Sequence, residues 1–154
     1  MTPDLILPLL MRWTHIGSAI VAVGGSVFLF FVMRPALSGA LNAESRADFE
    51  SRIMKRWKLL FHPLILLFLV SGFYNFFVVT APVHKGQGEY HMLFGIKFLL
   101  ALVMFGSGII ATSTKKWSEK MRDGNLIWWV LLASSAATVM VGGVMKLLPQ
   151  AAAN

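Results

Sequence analysis

The stretch that decides the fold is IGSAIVAVGGSVFLFFVM, residues 16–33, which contains no charged side chain. An uncharged apolar run of about eighteen residues or more is typical of a helix that crosses a bilayer. Together with the runs that follow it, it predicts spans over residues 5–33, 59–82, 92–113 and 126–148. Since 56% of the 154 residues are hydrophobic, little remains for a water-soluble domain. The sequence predicts an all-α protein, a bundle of four transmembrane helices forming one integral membrane domain over residues 1–154.

Several function classes find no support in the composition. The chain has no cysteine, so disulfides and thiolate ligands are excluded and His, Met and Lys remain as soft or nitrogen donors. Its net charge of +7 could suggest nucleic acid, but the basic residues lie beside the spans, where they usually set orientation. We therefore expect no nucleic-acid partner. The spans contain no phosphate-binding loop, no paired carboxylates and no nucleophile with a base.

The positions of the basic residues predict the orientation. Lys and Arg in short loops stay on the cytoplasmic side of a membrane. Ten of the fourteen lie between spans one and two or between spans three and four: Arg34, Arg46, Arg52, Lys55, Arg56, Lys58, Lys115, Lys116, Lys120 and Arg122. We therefore expect both termini to face outward, in a multi-pass protein of the bacterial inner membrane.

The first cytoplasmic loop is predicted to contain a short interfacial helix. In AESRADFESRIMKRWKLL, residues 43–60, apolar side chains recur among charges at roughly helical spacing. Asn42 is placed to cap this helix, which is expected to run into span two with Trp57 at headgroup depth.

Ionisable residues inside the membrane are expensive and therefore functional candidates. Counted from the inner boundary at ~1.5 Å per residue, His15 and Lys97 both lie about 27 Å outward, at one level. His91 lies about 9 Å further out, so His15 could meet either residue. His62 lies in the inner half and cannot share a ligand sphere with His15, and His84, in a Gly-containing outer loop, is expected to be solvated.

These side chains suit an iron porphyrin, which needs two axial donors, an apolar slot and cations for its carboxylates. His15 would supply one donor and either His91 or Lys97 the other. Arg12, three residues before His15 on the same helical face, could pair a propionate. Each residue also has a structural alternative: a histidine can bond a neighbouring helix, and Lys97 can extend to the outer headgroups. His62, which precedes Pro63, suits an interfacial role or a second haem completed by a dimer.

Methionines support a copper alternative. Met11, Met92 and Met145 fall at outer helix ends near His15 and His91, and thioether with imidazole is a donor set that suits Cu(I). Met residues in an apolar chain are more often packing residues.

Small residues recur every four positions in spans one and four. The two stripes are Ser18, Ala22 and Ser26, and Ser134, Thr138 and Gly142. Such stripes allow close helix packing, admission of a flat macrocycle or a dimer face.

Four segments carry a resemblance over nearly the whole chain: LLMRWTHIGSAIVAVGGSVFLFFVMRPAL, RIMKRWKLLFHPLILLFLVSGFY, YHMLFGIKFLLALVMF and VGGVMKLLP. In this order they resemble the four-helix superfamily that includes HemJ-type protoporphyrinogen oxidases and CopD-type copper resistance membrane proteins. The HemJ side implies a haem b enzyme in which a first-span His and a later intramembrane Lys are important, here His15 and Lys97. The acidic and tyrosine-rich features of HemJ are absent, and GGSVFLFFVMRPAL looks more like the CopD side.

Taken together, the sequence predicts a homodimeric membrane protein that binds haem b near its outer face. Its role would be electron transfer, or oxidation of a porphyrin or other lipophilic donor by a haem-dependent oxidoreductase. The alternatives are a copper-handling membrane protein and a non-catalytic membrane subunit.

Overall fold

The computed structural model describes residues 3–113, 115–123 and 125–148, and every regular element within them is helical. Four helical segments are long and apolar enough to cross a membrane: Leu5–Ala40, Ala43–Thr80, Gly88–Ala111 and Leu126–Leu147. The predicted all-α class with four membrane-crossing helices is therefore confirmed.

The first segment is longer than predicted. Helix α1 covers Pro3–Phe28, a π-helical turn covers Leu29–Met33, and α2 covers Arg34–Ala40 without a break. The sequence prediction ended the span at Met33 because the charged Arg34 follows it. Pro35 comes directly after the π-helical turn, so its missing N–H falls where the helical hydrogen-bond pattern is already shifted.

The helix of the first loop runs into the second span without a break, as predicted. Asn42 accepts a hydrogen bond from the Ser45 N–H at 2.9 Å, which confirms the predicted cap. Helix α3 then covers Ala43–Tyr74 and continues as a π-helical stretch over Asn75–Thr80. A 32-residue helix is about 48 Å long, more than the ~30 Å hydrocarbon core, so its charged first half extends beyond the apolar part of the span.

The connection between the second and third spans, on the side predicted to face outward and called outer below, is compact. A 3₁₀ turn, Pro82–His84, follows the π-helical stretch, and Gly86 turns the chain with φ +82°, a conformation that glycine adopts without strain. Helix α4, Gly88–Ala111, then begins. The inner connection contains a short helix, α5, Lys116–Asp123, that the sequence analysis did not predict.

The last helix, α6, covers Leu126–Leu147 and agrees closely with the predicted span. It packs mainly on α4, while α1 packs mainly on α3, and contacts between these two pairs are fewer. The bundle is thus two helix pairs with a looser seam between them.

In the inner half of the bundle, aromatic side chains pack directly against glycines of neighbouring helices. Trp57 of α3 lies directly against Gly25 of α1, and Phe61 lies against Gly108 of α4, so a Cβ at either glycine would collide with a ring. Trp57, expected at headgroup depth, is therefore packed against α1. Large apolar residues such as Leu59, Val139 and Leu147 are exposed on the outside, where a membrane protein meets lipid.

Candidate functional site

A cavity lies in the outer half of the seam between the two helix pairs. Its deeper part, about 160 Å³, is lined mainly by aromatic and apolar side chains, including Phe68, Phe76 and Phe94. Its outer part is about 500 Å³. The two parts share six lining residues, so they form one continuous space: His15, Asn75, Thr80, Tyr90, Lys97 and Met145.

The ring of His15 is fixed on the α1/α3 side of the cavity. Its Nδ1 lies 3.1 Å from the carbonyl oxygen of Phe68. Because a carbonyl only accepts, Nδ1 carries the proton and Nε2 keeps its lone pair. The ring also contacts that of Phe68, with centroids 4.0 Å apart and planes tilted by 36°, and it passes so close to Gly72 that a Cβ there would lie 3.0 Å from Cε1.

This arrangement is the one that metal-binding histidines use. A ligating imidazole donates its other N–H to a carbonyl or carboxylate, which fixes the tautomer and the ring orientation. Ser71 adds a second polar contact, with its Oγ 3.3 Å from His15 Nδ1. His15 therefore offers Nε2 as a preoriented donor.

Lys97 lies on the α4/α6 side of the same cavity. Its Nζ would be 3.1 Å from a Cβ placed on Gly142, so the absence of a side chain there makes room for the amine. Within the described part of the chain, Lys97 has no hydrogen-bond or ion-pair partner. Its charge and the ring of His15 are close enough to interact electrostatically. The seam thus brings an imidazole and an amine together from opposite helix pairs.

Arg12 lines the outer part of the cavity, one turn beyond His15 on α1. It is exposed. A guanidinium here can pair with a carboxylate of a bound group while most of that group occupies the aromatic part of the cavity.

His91 and His62 lie elsewhere. His91 is exposed, meets the rings of Phe76 and Tyr90 edge-on, and lines neither part of the cavity. His62 is also exposed, and its Nδ1 donates to the carbonyl of Lys58 at 2.9 Å. Of the two partners that the sequence left open for His15, Lys97 is the one that shares its cavity.

The prediction that His84 is solvated is wrong. Its side chain is only 6% exposed because the ring stacks on Tyr90, with centroids 3.7 Å apart. Nδ1 donates to the Thr80 carbonyl at 2.9 Å, and the ring lines the outer part of the cavity. Its neighbours Lys85, Gly86 and Gln87 are turn-forming or polar, so the local sequence carries no signal of burial.

His84 and His15 lie at different levels of the bundle. Their rings bond to the carbonyls of Thr80 and Phe68, which are twelve residues apart on one helical segment, or roughly 18 Å at 1.5 Å per residue. Two imidazoles on one iron must both come within about 2 Å of it, so this pair cannot share an axis. His84 is a residue of the cavity mouth.

Of the three methionines considered as copper ligands, only one lines the cavity. Met145 is buried and lines both parts of the cavity, whereas Met92 is exposed and Met11 only partly buried, and neither lines it. Among the described residues, no three His, Asp or Glu side chains cluster as a metal-ion site. The donors in the cavity are therefore imidazole, amine and one thioether.

The small-residue stripes face inward. Ser18, Ala22 and Ser26 are all buried within the single chain, so this stripe serves helix packing inside the bundle. In α6, Thr138 and Gly142 line the cavity, and their small size leaves it open. Asn75 is a polar residue that the sequence analysis missed: it lines the cavity and donates to the Met11 carbonyl at 3.3 Å, joining α3 to α1.

No family model matches this chain, and neither the curated proteins nor the solved structures contain a match to it.

Proposed function

We propose that this protein is a haem b-binding integral membrane protein that acts in electron transfer or in the oxidation of a porphyrin-like or other lipophilic donor. The observation that carries the proposal is a pair of donors that line one cavity from opposite helix pairs: His15, whose Nδ1 is bonded to Phe68, and Lys97, which has no ion-pair partner among the described residues. The resemblance to HemJ-type proteins points to the same two residues.

The side chains present fit such a group. Haem requires axial donors, an apolar enclosure and cations near its carboxylates. The deeper cavity supplies aromatic walls, and the glycines at positions 72 and 142 leave space beside the two donors. Bound haem would supply one-electron redox chemistry, since that chemistry belongs to the iron. The chain itself would orient the group, exclude water and set its axial ligands.

In this proposal His15 and Lys97 would hold the iron of the bound group and Arg12 would pair with one of its carboxylates. The basic inner loops face the cytoplasm of a bacterial cell, both termini face outward, and the charged first half of α3 lies at the inner interface. Two copies pair in the bilayer, and a second haem at His62 would need a donor from the partner copy.

The visible absorption spectrum of purified, dithionite-reduced protein tests the proposal. We expect sharp b-type bands in the wild-type protein and their loss in His15→Ala. Lys97→Ala should change the band positions, because the second axial ligand is removed. His91→Ala is the matched control and should leave the spectrum unchanged, since this ring lies outside the cavity.

Wild-type protein without these bands, purified from haem-replete cells, would refute the proposal. Unchanged bands in His15→Ala would remove that residue as a ligand.

The second candidate is copper handling. It is supported by Met145, a buried thioether that lines the same cavity as His15. Colourless protein that retains copper after purification, and loses it in Met145→Leu, would favour this function over haem binding. Protein that holds neither haem nor copper would favour a non-catalytic membrane subunit.

A further inference from the structure

The outer part of the cavity carries unbalanced positive charge. Arg12 and Lys146 line it beside Lys97, the amine that would bind the metal. Lys146 lies in the last turn of α6. Like charges around a partly enclosed space are unfavourable unless an anion joins them.

No acidic side chain balances these charges among the described residues that line the cavity. Glu89, at the start of α4, faces a separate depression beside Tyr90 and forms no ion pair with a described residue. An anionic ligand would supply the missing counterion.

The cations are arranged in the same way on both walls. On α1, Arg12 lies one turn beyond His15. On α6, Lys146 lies one turn beyond Gly142, the residue against which Lys97 packs. One turn is about 5 Å, so each wall has a nitrogen donor in the deeper cavity and a cation nearer the mouth.

His84 completes the mouth. With Nδ1 bonded to the Thr80 carbonyl, its Nε2 has no partner among the described residues, and the stack on Tyr90 fixes its ring. This nitrogen can accept a hydrogen bond from a carboxylic acid, or donate one to a carboxylate when it is protonated.

We propose that the mouth is a two-carboxylate site, in which Arg12 and Lys146 each pair with one acidic group of the ligand and His84 bonds to one of them. The ligand class is a flat apolar macrocycle with two carboxylates on one edge, bound with that edge outward. This inference rests on the proposed haem function and extends it to Lys146, to His84 and to the direction in which the ligand lies.

The test compares haem b with its dimethyl ester, which keeps the iron and the ring but lacks both negative charges. Each is titrated into detergent-solubilised protein freed of haem, and binding is followed by the visible spectrum. We expect the ester to bind wild type more weakly, by about 2- to 25-fold, because two ion pairs are lost, each worth up to about fivefold at an exposed position.

Lys146→Met should weaken haem binding by about fivefold and leave ester binding unchanged, and Lys146→Arg should restore haem binding. Lys146 is exposed, so its replacement does not disturb the core. Lys85→Met is the matched control, because it removes an exposed cation of the outer loop that does not line the cavity.

Equal affinity of wild type for haem and ester would overturn the two-carboxylate site while leaving the haem function intact. If Lys146→Met lowered the affinities for haem and for the ester by the same factor, the two-carboxylate site would be overturned as well, since the effect would then be structural. Wild type that binds neither compound would overturn the haem function and this inference with it.

Discussion

Replacing Gly72 with alanine should weaken haem binding without adding or removing any polar group. The new Cβ would lie 3.0 Å from Cε1 and 3.2 Å from Nδ1 of His15, where ordinary contacts begin at 3.4 Å. The ring must therefore move by a few tenths of an ångström. It cannot turn freely, because it is packed against the ring of Phe68 and Nδ1 is bonded to the Phe68 carbonyl.

The size of the effect follows from that hydrogen bond. Its length is 3.1 Å, and a shift of a few tenths of an ångström takes it to the edge of the range for N–H···O bonds. Loss of the group that orients a ligating histidine typically lowers metal affinity 10–100-fold. Since the bond is weakened and not abolished, we expect a loss of about tenfold in affinity, or ~1.4 kcal/mol.

The assay is titration of haem-free protein with haem, followed by the reduced spectrum. Gly143→Ala is the matched control, because a Cβ there meets nothing within 4 Å. Gly142→Ala should have a smaller effect than Gly72→Ala. Its Cβ would meet the flexible end of Lys97, so we expect haem affinity to fall by less than about threefold. Equal affinities of the Gly72 and Gly143 variants would refute the argument that the Phe68 bond orients His15.

Three further outcomes test the fold and its orientation. Gly25→Ala should lower the thermal unfolding temperature in detergent, because the Cβ collides with the ring of Trp57, whereas Gly24→Ala, with nothing within 4 Å, should not. Asn42→Ala should destabilise the start of α3 by about 1 kcal/mol through loss of its cap, measured by helix content and hydrogen exchange over its first turns. The chain has no cysteine, so Lys85→Cys and Lys120→Cys can each be labelled with a membrane-impermeant maleimide. Only Lys85→Cys should react in intact cells, because its loop is proposed to face outward. The reverse labelling pattern would show that the proposed topology is inverted.

The membrane-crossing helices were predictable because they depend on composition over long windows. Removal of about twenty apolar residues from water outweighs local detail, and a helix is the structure that satisfies the backbone in lipid. The ends were less predictable. The first segment continues past Arg34 and Pro35 to Ala40, whereas the run of α3 from its cap into span two was predicted.

The candidate site was predictable in part. Depth counting placed His15 and Lys97 at one level, and the structure puts both on one cavity. Depth counting could not decide whether Lys97 or His91 is the partner of His15, since a sequence does not fix how each helix is rotated or which helices pair. The prediction for His84 was wrong for a related reason. Its ring is buried by the ring of Tyr90, which belongs to helix α4 and not to the outer connection.

The sequence by itself determined the number of spans, the cap at Asn42 and the level of the polar groups, because hydropathy, capping and helix rise act along the chain. Only the tertiary structure decided which groups face each other. Two helix pairs pack tightly within themselves and loosely across the seam, so side chains on the seam-facing sides, including His15, Lys97 and Lys146, share one cavity while His91 lies outside it. That choice depends on interlocking contacts between helices, such as Phe61 against Gly108, which no single segment contains.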